Sequence, residues 1–195
     1  MNPILTNPES IAITIVLTTL IVGSTWLYIH KRRATTAGLR QRFGTEYDRT
    51  VRNQGSERKG QAKLLDREKR VGNLDIRELD PAERERFMER WKSVQSRFVT
   101  SPTGAVAEAD DLVSSVMQRR GYPASDFEQR AADISVDHPR VMENYRTAHA
   151  IALRLGKSET GTEELRTAMI HYQSLFDELM QARPLDAKDA ASRPR

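Results

Sequence analysis

The chain has 195 residues, no cysteine, 38 % hydrophobic and 30 % charged residues, and a formal net charge of +4. That length suits one domain of about 100 to 150 residues with smaller appendages. The lack of cysteine excludes a disulfide framework, a thiolate zinc site and a cysteine nucleophile, and is compatible with a reducing compartment.

Charge is unevenly placed. Lys31 to Gly72 carries thirteen Lys/Arg against five Asp/Glu, a net of +8, whereas Asn73 to Ala182 carries fourteen against nineteen, a net of −5. Immediately before the basic stretch, Ile11 to Ile29 reads IAITIVLTTLIVGSTWLYI, nineteen residues without a charge. At about 1.5 Å per residue such a helix spans roughly the 30 Å hydrocarbon layer of a bilayer. Ten of its positions are Ile, Val or Leu, each contributing about −0.3 to −0.6 kcal/mol at the bilayer centre. Trp26 and Tyr28 stand at its C-terminal end, where amphipathic rings favour the headgroup region, and Lys31, Arg32 and Arg33 follow. A cleaved signal peptide would want a cationic start, whereas Met1 to Ser10 contains Glu9 and no Lys or Arg. The sequence therefore predicts a transmembrane helix.

Lys and Arg beside a spanning helix stay on the cytoplasmic side, so the expected topology puts residues 1–10 outside and everything after His30 in the cytoplasm. Membrane lipid is the expected contact of Trp26, Tyr28, Lys31, Arg32 and Arg33. Thr19 and Gly23 form a small-xxx-small pair that points to a weak homodimer.

Beyond Arg33 the apolar periodicity is helical, with no alternating run bounded by hairpin turns. Leu39, Phe43, Tyr47 and Val51 recur every four residues, interrupted by Gly44 and stopped near Gly55. Ser56 to Val71 is highly charged, with Ala62, Leu64, Leu65 and Val71 to bury, and reads as a solvated or partly ordered helix. Asp80-Pro81 opens the best helix, with an N-cap aspartate, proline at the first position and an apolar face of Phe87, Trp91, Val94 and Phe98. Thr103 to Arg120 repeats the plan and stops at Gly121 and Pro123. Ser125 is expected to cap a short helix carrying Phe127, Ala131 and Ile134. Asp137-His138-Pro139 opens the next, closed by Gly156, and Thr162-Glu163-Glu164 opens the last.

Basic charge in Lys31 to Arg70 suits anionic lipid better than nucleic acid, since no recognition helix or RNA-binding signature accompanies it, and a plain solubilising face accounts for it equally well. No metalloprotease, phosphate-loop, nucleophile-elbow or dinucleotide motif occurs, and no catalytic, cofactor-binding or metal-binding residue is assigned. His138 and His149 are eleven residues apart, too far along one helix to share a metal. His149, four residues after Tyr145, reads as a structural hydrogen-bonding group. The adjacent carboxylates Asp110-Asp111, Glu163-Glu164 and Asp177-Glu178 read as solvated faces or helix-dipole partners.

The strings RFGTEYDRTV from Arg42, GAVAEADDLVSSVMQRRGYP and FEQRAADISVDHPRVMENYRTAHAIA from Phe127 carry a resemblance. Over roughly Leu39 to Met180, the chain resembles an uncharacterised bacterial family of single-pass membrane proteins with an RFGxEYDRTV motif. The resemblance implies a bacterial source and a helical domain behind a spanning helix. It implies no activity, ligand or site residue.

The predicted fold class is all-α: one N-terminal transmembrane helix followed by a cytoplasmic helical bundle of about four to six helices. Its expected parts are an outer tail 1–10, the span 11–29, a basic, partly helical juxtamembrane segment 30–72, the soluble helical domain 73–182 and a disordered tail 183–195. The expected function is that of a non-enzymatic, membrane-tethered interaction module at the inner face of a bacterial membrane, engaging a protein partner. The rival is a small-molecule or lipid-binding sensor or enzyme whose interhelical pocket is lined by Tyr145, His149, Trp91 or Tyr172.

Overall fold

Every regular element among the described residues is helical; these are residue 20, residues 36–155 and residues 161–181 of a computed structural model. The chain divides into two units, Met1–Gln41 and Arg42–Arg195. The expected span Ile11–Ile29, the pair Thr19 and Gly23, the interface residues Trp26, Tyr28, Lys31, Arg32 and Arg33, and the tail 183–195 lie outside the described residues, save Leu20, which is helical. Among the described residues no helix is long and apolar enough to cross a membrane.

Residues 36–43 are helical (α1), and Gly44, at φ +52°, breaks the path before α2, Thr45–Gln54. A turn at Gly55 leads into α3, Glu57–Val71, whose first turn is capped by the Ser56 side chain accepting from the Lys59 amide at 3.2 Å. The α2 and α3 helices pack as a hairpin. Their close approach requires Gly60, because a Cβ there would lie 2.8 Å from the Val51 Cα.

Helix α4, Pro81–Thr100, starts where the sequence predicts: Asp80 accepts from the Glu83 amide at 2.7 Å and the Glu83 carboxylate accepts from the Asp80 amide at 3.1 Å. Trp91 and Val94 on its face are buried, with Phe87 and Phe98 half-buried against the core. Helix α5, Pro102–Arg119, buries all of Val106, Ala109, Leu112, Val113, Val116 and Met117. Arg120 then turns inward, donating to the Leu179 carbonyl at 2.9 Å while its own carbonyl accepts from the Arg77 amide at 2.9 Å. Burial holds its pKa below the usual arginine value.

Helix α6, Phe127–Asp137, is capped by Asp126, which accepts from the Gln129 amide at 2.8 Å, so the expected cap moves from Ser125 to its neighbour. The Ser125 hydroxyl instead turns back to the Pro123 carbonyl at 3.5 Å. Asp137 ends α6; a 3-10 turn, Pro139–Val141, precedes α7, Met142–Ala152, and α8 spans Thr162–Gln181. The expected α7 terminator Gly156 lies outside the described residues.

Helices α4, α5, α7 and α8 meet around one apolar cluster, with Trp91 stacked on Phe176 at a centroid distance of 4.8 Å. Ala131 and Ile134 of α6 join that cluster. Every residue from Ala131 to Val136 is buried, because α3 packs on the other side of α6. Residues 57–71 are thus an ordered helix within the second unit, and residues 45–71 supply the hairpin that covers α6 and touches α7.

Candidate functional site

Two neighbouring features stand out on this framework. The first is a polar network that seats the hairpin. Glu46 of α2, 3 % exposed, accepts from Arg146 of α7 at 3.0 and 3.3 Å and lies 3.5 Å from Arg67 of α3. Arg67 also reaches the Ser135 hydroxyl at 3.4 Å, and Arg146 reaches Glu128 at 3.0 Å. Close by, Arg70 donates to the buried Asp133, which also accepts from Gln129 at 3.0 Å. Burial lowers the Arg67 pKa in spite of Glu46; at Arg146 the same burial is outweighed by Glu46 and Glu128, which raise it. Some of the basic charge expected at a lipid surface is therefore neutralised inside the fold: Arg42 pairs with Glu68, Arg67 with Glu46 and Arg70 with Asp133. Arg52, Arg58, Lys59, Lys63 and Lys69 remain exposed.

The second feature is an open groove of about 1080 Å³. Helix α7, which packs on both α2 and α8, lines it with Glu143, Thr147 and Ala150, and Arg154, in the turn after α7, pairs there with Glu164 at 2.8 Å. Thr45, Arg49 and Arg52 of α2 line it on one side, and Glu163, Glu164 and Thr167 of α8 on the other. Phe127 and His149 stand at its edge, stacked at 3.7 Å with their planes 5° apart, and the Arg146 guanidinium lies 5.9 Å from the Phe127 centroid.

Behind that stack lies an aromatic and polar cluster. Tyr172 donates to Asp110 at 3.0 Å, and His149 Nδ1 stands 3.6 Å from the same carboxylate oxygen. Tyr145 packs against Phe127, His149 and Tyr172 at centroid distances of 4.9, 6.5 and 6.3 Å. Burial would push the Asp110 carboxyl up, but His149, Tyr172 and the nearby Arg130 charge hold it below its usual value. Burial, with the Asp110 charge beside it, raises the Tyr172 pKa, and burial raises that of Tyr145, so both hydroxyls stay protonated.

Three of the four residues expected to line an interhelical pocket, Tyr145, His149 and Tyr172, come together here; Trp91 lies elsewhere, stacked on Phe176. Of the pair Asp110-Asp111, expected on a solvated face or as helix-dipole partners, Asp110 faces this cluster and only Asp111 is fully exposed. Phe127 and Arg130 were likewise missed as neighbours of the site. The four-residue spacing of Tyr145 and His149 was the signal available. The remaining carboxylates near the histidines are engaged otherwise: His138 Nδ1 meets Glu178 at 3.2 Å, and Asp137 accepts from Tyr122 at 2.7 Å. Burial keeps the His138 pKa below the ordinary value. Among the described residues no three His, Cys, Asp or Glu side chains are grouped so as to hold a metal ion.

The chain matches no protein-family model, no curated protein and no solved structure.

Proposed function

We propose that the protein is a membrane-tethered interaction module: the run Ile11–Ile29 anchors it, Lys31, Arg32 and Arg33 keep the following chain on the cytoplasmic side, and the helical unit from Arg42 presents a face to a protein partner. The observation that carries the module reading is the contrast between a filled interior and a broad open groove. The core side chains of α5 are wholly buried, whereas the groove is a surface channel with charges of both signs. Enclosed, mostly apolar pockets of about 300 to 1,000 Å³ suit small molecules. An open channel with mixed charge suits a polypeptide better. Membrane lipid belongs to the anchor and its interface residues, and the Thr19 and Gly23 pair would let two anchors meet.

The test is fractionation of the full-length protein, followed by protease treatment of intact and opened cells. The expected result is a carbonate-resistant membrane protein whose C-terminal portion is digested only after opening. Release into the aqueous fraction, or digestion from outside, would overturn the reading.

One observation favours a second reading, a small-molecule site at the aromatic cluster. The Tyr145 hydroxyl and His149 Nδ1 are buried without a hydrogen bond, His149 Nδ1 standing 3.6 Å from Asp110, and buried polar groups ordinarily find a closer partner. A thermal-shift screen separates the readings, since a ligand at 100 times its dissociation constant adds about 2.7 kcal/mol. A hit abolished by Tyr145→Phe would favour the ligand site.

A further inference from the structure

Helix α3 turns Gly60, Gln61, Leu64 and Val71 inward and leaves its opposite side to solvent. There Arg58, Ala62, Leu65 and Lys69 follow one another at spacings of four, three and four, with Lys59, Lys63 and Asp66 beside them, and all seven are exposed. From Arg58 to Lys69 the row runs about 16 Å, three helical turns. Leu65 is 45 % exposed, an apolar side chain set among cations. None of these residues lines the groove.

Two carboxylates accompany the row, and neither cancels it. Asp66 stands 4.0 Å from Lys63, and Glu57 turns to α2, where it accepts from the Tyr47 hydroxyl at 2.9 Å. Arg58, Lys59 and Lys69 make no ion pair among the described residues. Helix α4 is the contrast. Opposite its Phe87, Trp91, Val94 and Phe98 face runs the exposed line Glu85, Glu89, Lys92 and Ser96, so carboxylates lead there and the arginines stand to the sides. The sequence from Asn73 to Ala182 carries a net of −5. Near an anionic surface, a unit that is basic on α3 and acidic over the bundle turns α3 towards that surface.

Nucleic acid is anionic too, but single strands are held largely by aromatic stacking, and the outward face of α3 carries no aromatic side chain. It carries Ala62 and Leu65 between lysine and arginine stems, which keep their charge at headgroup level while an apolar neighbour reaches the acyl boundary. We infer that the outward face of α3 lies along an anionic phospholipid surface, with Arg58, Lys59, Lys63 and Lys69 at the phosphates and Leu65 at the edge of the acyl chains. The inference rests on the membrane-tethered reading, which supplies the nearby bilayer, and adds which side of the helical unit faces it. The groove, to which α3 contributes no side chain, then stays open to a protein partner.

The chain has no cysteine, so one introduced thiol takes a label alone. The full-length protein is reconstituted in vesicles of phosphatidylcholine, or of phosphatidylcholine with an equal part of phosphatidylglycerol, both containing a nitroxide-headgroup lipid as quencher. A nitrobenzoxadiazole fluorophore is attached at Leu65→Cys and, as controls at exposed positions, at Ser96→Cys on α4 and Gln173→Cys on α8. Quenching at Leu65→Cys should rise roughly threefold from neutral to anionic vesicles, with both controls unchanged. It should return to the neutral-vesicle value at about 1 M salt, where the Debye length is about 3 Å, and equally in the Arg58→Glu, Lys69→Glu variant, whose melting temperature should not change. Quenching that is equal in the two vesicles, equal at all three positions, or indifferent to salt and charge reversal would overturn the inference and leave the anchor standing, provided the protein floats with both compositions. Flotation with anionic vesicles alone, released by salt, would remove the anchor and keep the α3 surface; flotation with neither would remove both. Loss of quenching on adding a mixed-sequence DNA duplex at equal phosphate would hand the face to nucleic acid and overturn the inference.

Discussion

The α4–α8 bundle and the α2–α3 hairpin are held by different physics. In the bundle, α5 meets α4 and α8 through wholly buried aliphatic and aromatic side chains, and Trp91 stacks on Phe176. Phe43, Tyr47, Leu64 and Val71 of the hairpin side are also buried but stand outside that cluster, and the ties from hairpin to bundle include Glu46–Arg146, Arg67–Ser135 and Arg70–Asp133. Apolar burial is strong and non-directional, about 25 cal/mol for each Å² removed from water. A buried ion pair returns little net stability after desolvation, yet removing one member leaves an uncompensated charge. The bundle is therefore stabilised by its core, whereas the hairpin is positioned by its charges. Because Thr45, Arg49 and Arg52 of α2 line the groove, that positioning also sets where they stand.

The strongest way to break the contrast is to empty the core. Phe176→Ala should cost about 3 to 5 kcal/mol and lower the midpoint of the whole denaturant transition, read by far-ultraviolet circular dichroism. Glu46→Gln should cost about 3 kcal/mol because it leaves Arg67 without its carboxylate and Arg146 with the exposed Glu128 alone. Its loss should be local, confined to amide protection in 45–71. Replacing Glu46, Arg67 and Arg146 together by leucine and methionine should recover most of that stability, which sharpens the comparison: a purely stabilising triad could not be removed whole at little cost. Gly60→Ala should cost about 1 to 3 kcal/mol, since the added methyl meets the Val51 backbone and pries the hairpin open.

The smallest expected effect is in acid. Burial would raise the Glu83 carboxyl, but donation from Arg77, the Asp80 amide and Arg119 holds it down to about 2, against an ordinary 4.5. A depressed folded-state pKa contributes stability that is complete above 4.5 and is lost as pH falls towards 2. Fraying of the first turn of α4 should begin only in that window, followed by the amide resonances of Ala82 to Arg84.

Legibility in the sequence followed the range of the interactions. Helix α4 announced itself through Asp80, Pro81 and Glu83, neighbours whose capping box closes within four residues. Helix α3 looked solvated because Arg67 and Arg70 declare nothing about Asp133, sixty-three residues from Arg70, and the Glu46–Arg146 pair spans a hundred residues. The candidate site divides in the same way. Tyr145 and His149 share a helix face and were expected together, while Asp110 arrives from α5, sixty-two residues before Tyr172.

Native-state hydrogen exchange of the full-length protein and its Glu46→Gln variant tests the division between a charge-positioned hairpin and a core-held bundle most directly. The account predicts that amides in 45–71 lose protection a hundredfold or more, consistent with about 3 kcal/mol, while those of α5 and α8 keep theirs. Equal loss in the hairpin and in α5 would contradict it, because the two regions would then unfold as one unit with the charges no more than part of a common core.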